Sequence, residues 1–113
     1  MRKLIVAVDF DGTITKTKEY PEVGEINAEA IEVLKALKGK CILCLWTCRA
    51  GKELDDAVRV LKEDWDFEFD FINYSPVNTG SPKIVADFYI DDRGIGCNSF
   101  SWKETGDYLS KCQ

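Results

Sequence analysis

An apolar run that stops at two acids constrains this chain more than any other feature. Lys3-Leu-Ile-Val-Ala-Val8 is a continuous apolar run, and it gives way to Asp9-Phe-Asp-Gly-Thr13. A run that is apolar throughout, rather than at alternate positions, suits a parallel strand covered on both faces. Gly12 permits a tight turn just beyond it. The chain therefore places two carboxylates where a buried strand ends.

The rest of the chain repeats this pattern. Ile14 to Gly24 is polar and is broken by Pro21 and Gly24, which reads as a loop or small flap. Asn27 is a good cap for a first helix, with Ile26 placed to staple onto Ile31. Ala30, Leu34 and Leu37 continue its buried stripe, and Gly39 is placed to end it. Cys41-Ile-Leu-Cys-Leu-Trp46 reads as a second strand, ending in Thr47-Cys48-Arg49. After Gly51, the residues Leu54, Ala57, Val58, Leu61 and Trp65 recur at helical spacing. Phe67 to Ile72 reads as a third strand, and 73–82 as a loop. Lys83 to Ala86 reads as a brief helical turn. Phe88-Tyr-Ile90 is a fourth strand, ending in Asp91-Asp92-Arg93. Gly94 and Gly96 loosen the following turn. Ser101-Trp-Lys-Glu104 then has the form of a capping box opening a last helix, which would dock Trp102, Leu109 and Cys112.

This alternation predicts a single α/β domain over residues 1–113: a Rossmann-like parallel sheet with helices on both faces. Right-handed crossovers place strands one, two and three side by side. Strand four returns to the free side of strand one, giving the order 4-1-2-3. Open sheets of this kind bind ligands at the switch point, outside the carboxyl ends of the strands. Asp9, Asp11, Thr47, Asp91 and Asp92 all fall at such ends.

Composition removes several alternatives. The chain has 113 residues, a formal net charge of -5 and no histidine. Without histidine there is no Ser-His-Asp triad, no Cys-His dyad and no His-ligated zinc. The acidic balance and the absence of a basic cluster argue against nucleic-acid binding, and the Lys16, Lys18 pair is too small to change that. No apolar run approaches a membrane span. The segment after Met1-Arg-Lys runs straight into two Asp residues with no small-residue cleavage site, so a cytoplasmic protein is expected rather than a secreted one. Five cysteines (Cys41, Cys44, Cys48, Cys97 and Cys112) are an odd number for a disulfide framework. Cys41 and Cys44 have the spacing of half a zinc site. On a strand, however, they point to opposite faces, so both are read as small buried side chains, as Trp46 and Trp65 are read as core.

Four carboxylates crowded into one crevice raise one another's pKa unless a cation intervenes. A hard, oxygen-liganded ion is indicated, and Mg²⁺ fits best, because it uses one or two carboxylates together with waters and a phosphate. Asp9 is the candidate nucleophile, forming an aspartyl-phosphate. Asp11 is the candidate acid/base for the leaving oxygen and then for water. Thr47 and Lys83 are candidates to hold and neutralise the transferring phosphoryl group. Gly12 (through the backbone amides of its turn), Thr13 and Arg49 are candidate substrate contacts. Arg49 and Arg93 lie beside the acids and can equally pair with a structural Asp. Asp87 is given only a turn-orienting role.

Asp9-Phe-Asp-Gly-Thr13 resembles the first motif of the haloacid dehalogenase-like phosphatases. Thr47, Lys83 and Ile90-Asp91-Asp92 resemble the other three motifs, in the right order. The resemblance implies a Rossmann-like fold, an Asp9 nucleophile, an Asp11 acid/base and Mg²⁺. The metal would be held by the Asp9 carboxylate, the Asp11 carbonyl and one of Asp91 and Asp92, with Asp92 favoured as the direct ligand. Neither 14–25 nor 73–82 is long enough for a cap domain. Capless members accept macromolecular substrates or borrow a lid from another subunit, which leaves room for an oligomer. The expected partner is a phosphorylated substrate. Two other readings are a phospho-acceptor receiver domain and a non-catalytic phosphate-binding module. The receiver reading conflicts with motif placement, because strand three ends in Ile72-Asn73 rather than an acceptor Asp.

Overall fold

The computed structural model describes residues 2–95 and 101–112. The turn expected at Gly96, and Cys97 with it, lie outside those residues. In chain order the elements are β1 (Leu4–Val8), α1 (Ala28–Leu37), β2 (Cys41–Leu45), α2 (Gly51–Trp65), β3 (Phe71–Ile72), β4 (Phe88–Ile90) and α3 (Trp102–Lys111). Among the described residues the strands form one parallel sheet in the order β3-β2-β1-β4, as the crossover argument requires. Val8 sits opposite both Leu45 and Ile90. Asp9, Trp46 and Asp91 therefore leave the sheet at one level, and the bonds Asp9 N–H to Ile90 O and Trp46 N–H to Val8 O, both 2.9 Å, fix that level.

The helix signals act as expected. Asn27 caps α1 by accepting from the Glu29 N–H at 3.0 Å, and Ala30, Ile31, Leu34 and Leu37 are its buried face. Ser101 caps α3 by accepting from the Glu104 N–H. Trp102 and Leu109 dock, whereas Cys112 is exposed instead of docking. At Gly106 an added Cβ would stand 3.0 Å from Val33 Cγ1, so α3 lies close on α1 because this position has no side chain.

The two faces of the sheet are covered differently, and this departs from the expectation of helices on both. Val6, Val8, Leu43 and Leu45 face one side, where Ala30, Leu34, Ala57, Leu61, Trp102 and Leu109 from all three helices join them. Ile5, Ala7 and Cys44 face the other side and pack against Ile84 and Ala86 from the coil before β4. A strand that is apolar throughout demands cover on both faces but does not specify a helix. Fully burying one isoleucine such as Ile84 contributes roughly 1.5–3 kcal/mol, enough to help seat a coil without helical hydrogen bonds. The helical turn expected at Lys83–Ala86 is accordingly not formed. Cys41 and Cys44 fall in opposite cores, which separates the two sulfurs of the supposed half zinc site.

Strand three is shorter than the expected Phe67–Ile72. Asp66 closes α2 in the left-handed conformation (φ 53°), and Phe67 N–H still bonds to Leu61 O at 3.0 Å. Phe67 and Phe69 are buried as an edge-to-face pair with centroids 5.0 Å apart, so their alternation reflects core packing and not a ladder.

Candidate functional site

The carboxyl end of the sheet brings Asp9, Asp91 and Asp92 together. One carboxylate oxygen from each lies within 4.8 Å of the others. Burial, and after it the charge of Asp91, push Asp9 up from an ordinary 3.8 to about 6, against the hydrogen bonds it receives from Thr13 and Phe10. For Asp92, burial acts upward, but the hydrogen bond and charge of Lys18 prevail and hold it below its ordinary value. Asp91 Oδ1 accepts from the Arg93 N–H at 2.9 Å, a turn that keeps the acidic pair at the strand end.

Thr13 organises this cluster from beneath. It is 3% exposed, donates to Asp9 Oδ2 at 3.0 Å and accepts from the Asp92 N–H at 3.0 Å. Its oxygen is 3.4 Å from Asp92 Oδ1. The hydroxyl has one proton, and the shorter distance assigns it to Asp9. Trp102 Nε1 donates to Thr13 O at 2.9 Å and ties α3 to the same turn. Thr13, expected as a substrate contact, is thus a buried brace between strands. Gly12 also differs from expectation, since its N–H is taken by Thr15 Oγ1 at 2.9 Å. The glycine itself is required: φ is +82°, and a Cβ would stand 2.6 Å from both Asp92 Oδ2 and Lys18 Cε.

Asp11 turns away from the triad. Its two oxygens accept from Arg49 Nη2 at 2.7 Å and Nε at 2.8 Å. Arg49 is 1% exposed, lies between the rings of Phe10 and Tyr20, and donates further to the carbonyls of Pro21, Glu22 and Glu53. All five guanidinium N–H groups have acceptors here, so none is left over for a phosphate. Of its two expected roles, substrate contact or partner of a structural Asp, Arg49 takes the second, as a clamp joining the first acidic turn, the flap and the start of α2. The Asp11 hydrogen bond, opposed by burial, raises Arg49 above its ordinary pKa.

Thr47 stands at the end of β2, where its N–H donates to Asn73 Oδ1 at 2.8 Å and its Oγ1 accepts from the Arg49 N–H at 3.1 Å. The hydroxyl proton remains available to a ligand. Lys83 makes no direct contact with the triad. Its ammonium is 5.2 Å from the Tyr89 ring centroid, and no hydrogen bond or ion pair joins it to Asp9, Asp91 or Asp92. The cation beside the triad is Lys18 of the flap, 3.1 Å from Asp92 Oδ2.

Sequence reasoning passed over Lys18 and Asn73. In sequence Lys18 is only one of a weak basic pair, although charge complementarity to four nearby acids is a usable signal. Asn73 directly follows β3 at the level of Thr47, and its Nδ2 donates to Arg49 O at 3.2 Å. That partnership becomes visible only once β2 and β3 are paired.

No family model matches the chain. No curated protein matches it either. Among solved structures it is similar to a conserved protein from Bacteroides thetaiotaomicron. The TM-score is 0.86 and the identity 34%, over 99% of this chain and 93% of that one. At that identity and coverage, the chain belongs to the same family as the Bacteroides protein.

Proposed function

We propose that the protein is a Mg²⁺-dependent phosphomonoesterase that works through an aspartyl-phosphate on Asp9. The observation that carries this reading is the Asp9, Asp91, Asp92 cluster, drawn from two strand ends at the topological switch point. The donor set fits a hard divalent cation: three carboxylates, no histidine and no cysteine, with Asp9 raised first by burial and then by the charge of Asp91. When bound, Mg²⁺ supplies charge neutralisation for carboxylates and phosphate oxygens. This reading keeps the resemblance of Asp9-Phe-Asp-Gly-Thr13 to the haloacid dehalogenase-like phosphatases as a proposal.

In the reaction a carboxylate oxygen of Asp9 attacks phosphorus and the bond to the leaving oxygen breaks. Asp11 gives that oxygen its proton. Asp11 then takes a proton from the water that attacks phosphorus, and the bond from phosphorus to Asp9 breaks. Asp11 serves this role once it leaves Arg49 and takes up a proton from solvent. Thr47 donates to a phosphoryl oxygen. Among the described residues no cap stands beside the site, which suits a phosphorylated group displayed on a large substrate or a lid lent by a second subunit.

The deciding assay is hydrolysis of a generic aryl phosphate with Mg²⁺ and with chelator, for wild type and Asp9→Asn. Metal-dependent turnover that Asp9→Asn abolishes is the expected result. Equal turnover by both proteins overturns the nucleophile assignment.

A further inference from the structure

We propose that Lys18, carried by the flap, is the side chain that receives the substrate phosphate, and that in the metal-free protein it stands in for the cation on Asp92. The inference rests on the phosphatase reading for its substrate and on the ion pair alone for its place at the metal centre.

Three observations support it. First, Lys18 makes the one ion pair to the acidic triad among the described residues, at 3.1 Å from Asp92 Oδ2. Of the other cations, Arg49 has its N–H groups taken, and Lys83 and Arg93 make no ion pair with the triad. Second, its path is built into the turn. Its Cε passes over Gly12 where any side chain would collide with it at 2.6 Å, so the positive-φ glycine also serves as a groove for the lysine stem. Third, the flap that carries it is anchored at both ends. Lys16 N–H bonds to Glu25 O at 2.8 Å, Thr15 Oγ1 donates to Thr17 O at 2.7 Å, and Arg49 grips the Pro21 and Glu22 carbonyls. Lys16 is paired to Glu25, which leaves Lys18 as the flap lysine directed at the triad.

Its side chain remains 43% exposed, so the ammonium has room to move. A divalent ion at Asp92 removes the reason for Lys18 to stay there. The freed ammonium then lies at the mouth of the site, where a phosphate dianion bound to the metal needs a second positive charge. Lysine suits a group that exchanges between two anions, being a point charge on a flexible stem.

The test uses Lys18→Met, which keeps the stem over Gly12, and Lys18→Arg, which restores charge. In Mg²⁺ titrations followed by thermal shift without phosphate, Lys18→Met is expected to lower the midpoint about two- to five-fold, as loss of a competing exposed ion pair implies. In aryl phosphate hydrolysis its KM is expected to rise about tenfold with a smaller change in kcat, and Lys18→Arg to recover most of that loss. An unchanged Mg²⁺ midpoint overturns the stand-in role. An unchanged KM in a wild-type background that turns over overturns the phosphate role. Absence of turnover in wild type overturns the phosphatase reading and the phosphate role with it, while the Mg²⁺ midpoint still decides the place of Lys18 at the cation.

Discussion

Asp70 and Asp87 use their side chains in the same way on opposite edges of the sheet. Asp70 Oδ2 accepts from the Leu43 N–H at 2.8 Å, while its own N–H donates to Leu43 O at 2.9 Å. Asp87 Oδ2 accepts from the Ile5 N–H at 2.8 Å, and its N–H donates to Ile5 O at 2.8 Å. Each stands just before a short edge strand, and each substitutes a carboxylate for the carbonyl that a longer strand would have offered. Two strands of only 2 and 3 residues are thereby held in register on longer central neighbours.

A pH dependence follows from Asp87. The hydrogen bond from Arg2, then that from Ile5, lowers it from 3.8 to about 2. A carboxyl with a depressed folded pKa adds stability that is fully present above the unfolded value and is lost as pH falls toward the folded one. Urea midpoints of wild type and Asp87→Asn should therefore differ by a constant amount above pH 4. The gap should narrow as pH falls from 4 to 2. Part of the ion pair is screened, because Arg2 is 69% exposed. A gap that stays constant down to pH 2 would remove Asp87 from the acid response.

Arg49 gives a larger effect. Breaking a buried ion pair by removing one partner costs about 3 kcal/mol or more, since the groups left behind lose their donors. Arg49→Met is expected to lose about that much in urea unfolding. Arg49→Lys should recover little, because an ammonium cannot span Asp11 and three carbonyls in the plane of the guanidinium. Both variants should also speed amide exchange across the flap, which depends on the bonds to Pro21 and Glu22. Exchange unchanged in the flap would show that the clamp is not what orders it.

Gly12 is a position where a single methyl should disable the site. With φ at +82° and a Cβ 2.6 Å from both Asp92 Oδ2 and Lys18 Cε, Gly12→Ala must displace both of them. The expected loss is about 1–2 kcal/mol of stability from backbone strain. The Mg²⁺-induced rise in melting temperature should largely disappear. Retention of the full rise would mean that Asp92 takes no part in holding the ion.

Local signals were legible in the sequence because their cause is local. Asn27 and Ser101 sit one residue before their helices and cap them. The alternating burial that separates Val6 and Val8 from Ile5 and Ala7 needs only strand period. The acids at strand ends were found because strand order can be argued from crossover handedness. Pairing of Arg49 with an Asp is one of the two readings its place beside the acids allows, but the full clamp is not legible, because Asp11 is 38 positions away and the three carbonyls it holds carry no side-chain signature. Phe67 and Phe69 misled for a different reason: a period of two records alternate burial, which an edge-to-face pair under a helix end produces as readily as a strand. Spacing alone does not reveal the contact of Lys83 with the Tyr89 ring.

The metal-free protein offers the sharpest check on the acidic cluster, because removing a group there should stabilise it. Asp9 is burdened by burial and by Asp91, and its pKa near 6 means that its ionised form at pH 8 costs folding free energy. The sign is the reverse of the Asp87 case. A carboxyl with a raised folded pKa penalises the fold above that pKa, and the penalty fades as pH drops toward the unfolded value. In chelator at pH 8, Asp9→Asn should therefore melt higher than wild type. The gain should be about 1 kcal/mol, or roughly 4 °C for a domain of this size, after allowing for partial exposure and for the Thr13 bond. At pH 5 roughly half of that gap should remain, and the two should converge only as pH falls below about 4. Millimolar Mg²⁺ should reverse the order, because the ion stabilises the protein in proportion to its affinity for the folded state, and the amide is the poorer ligand. A wild type that melts higher than Asp9→Asn in chelator would mean that the three carboxylates do not repel one another enough to require a cation.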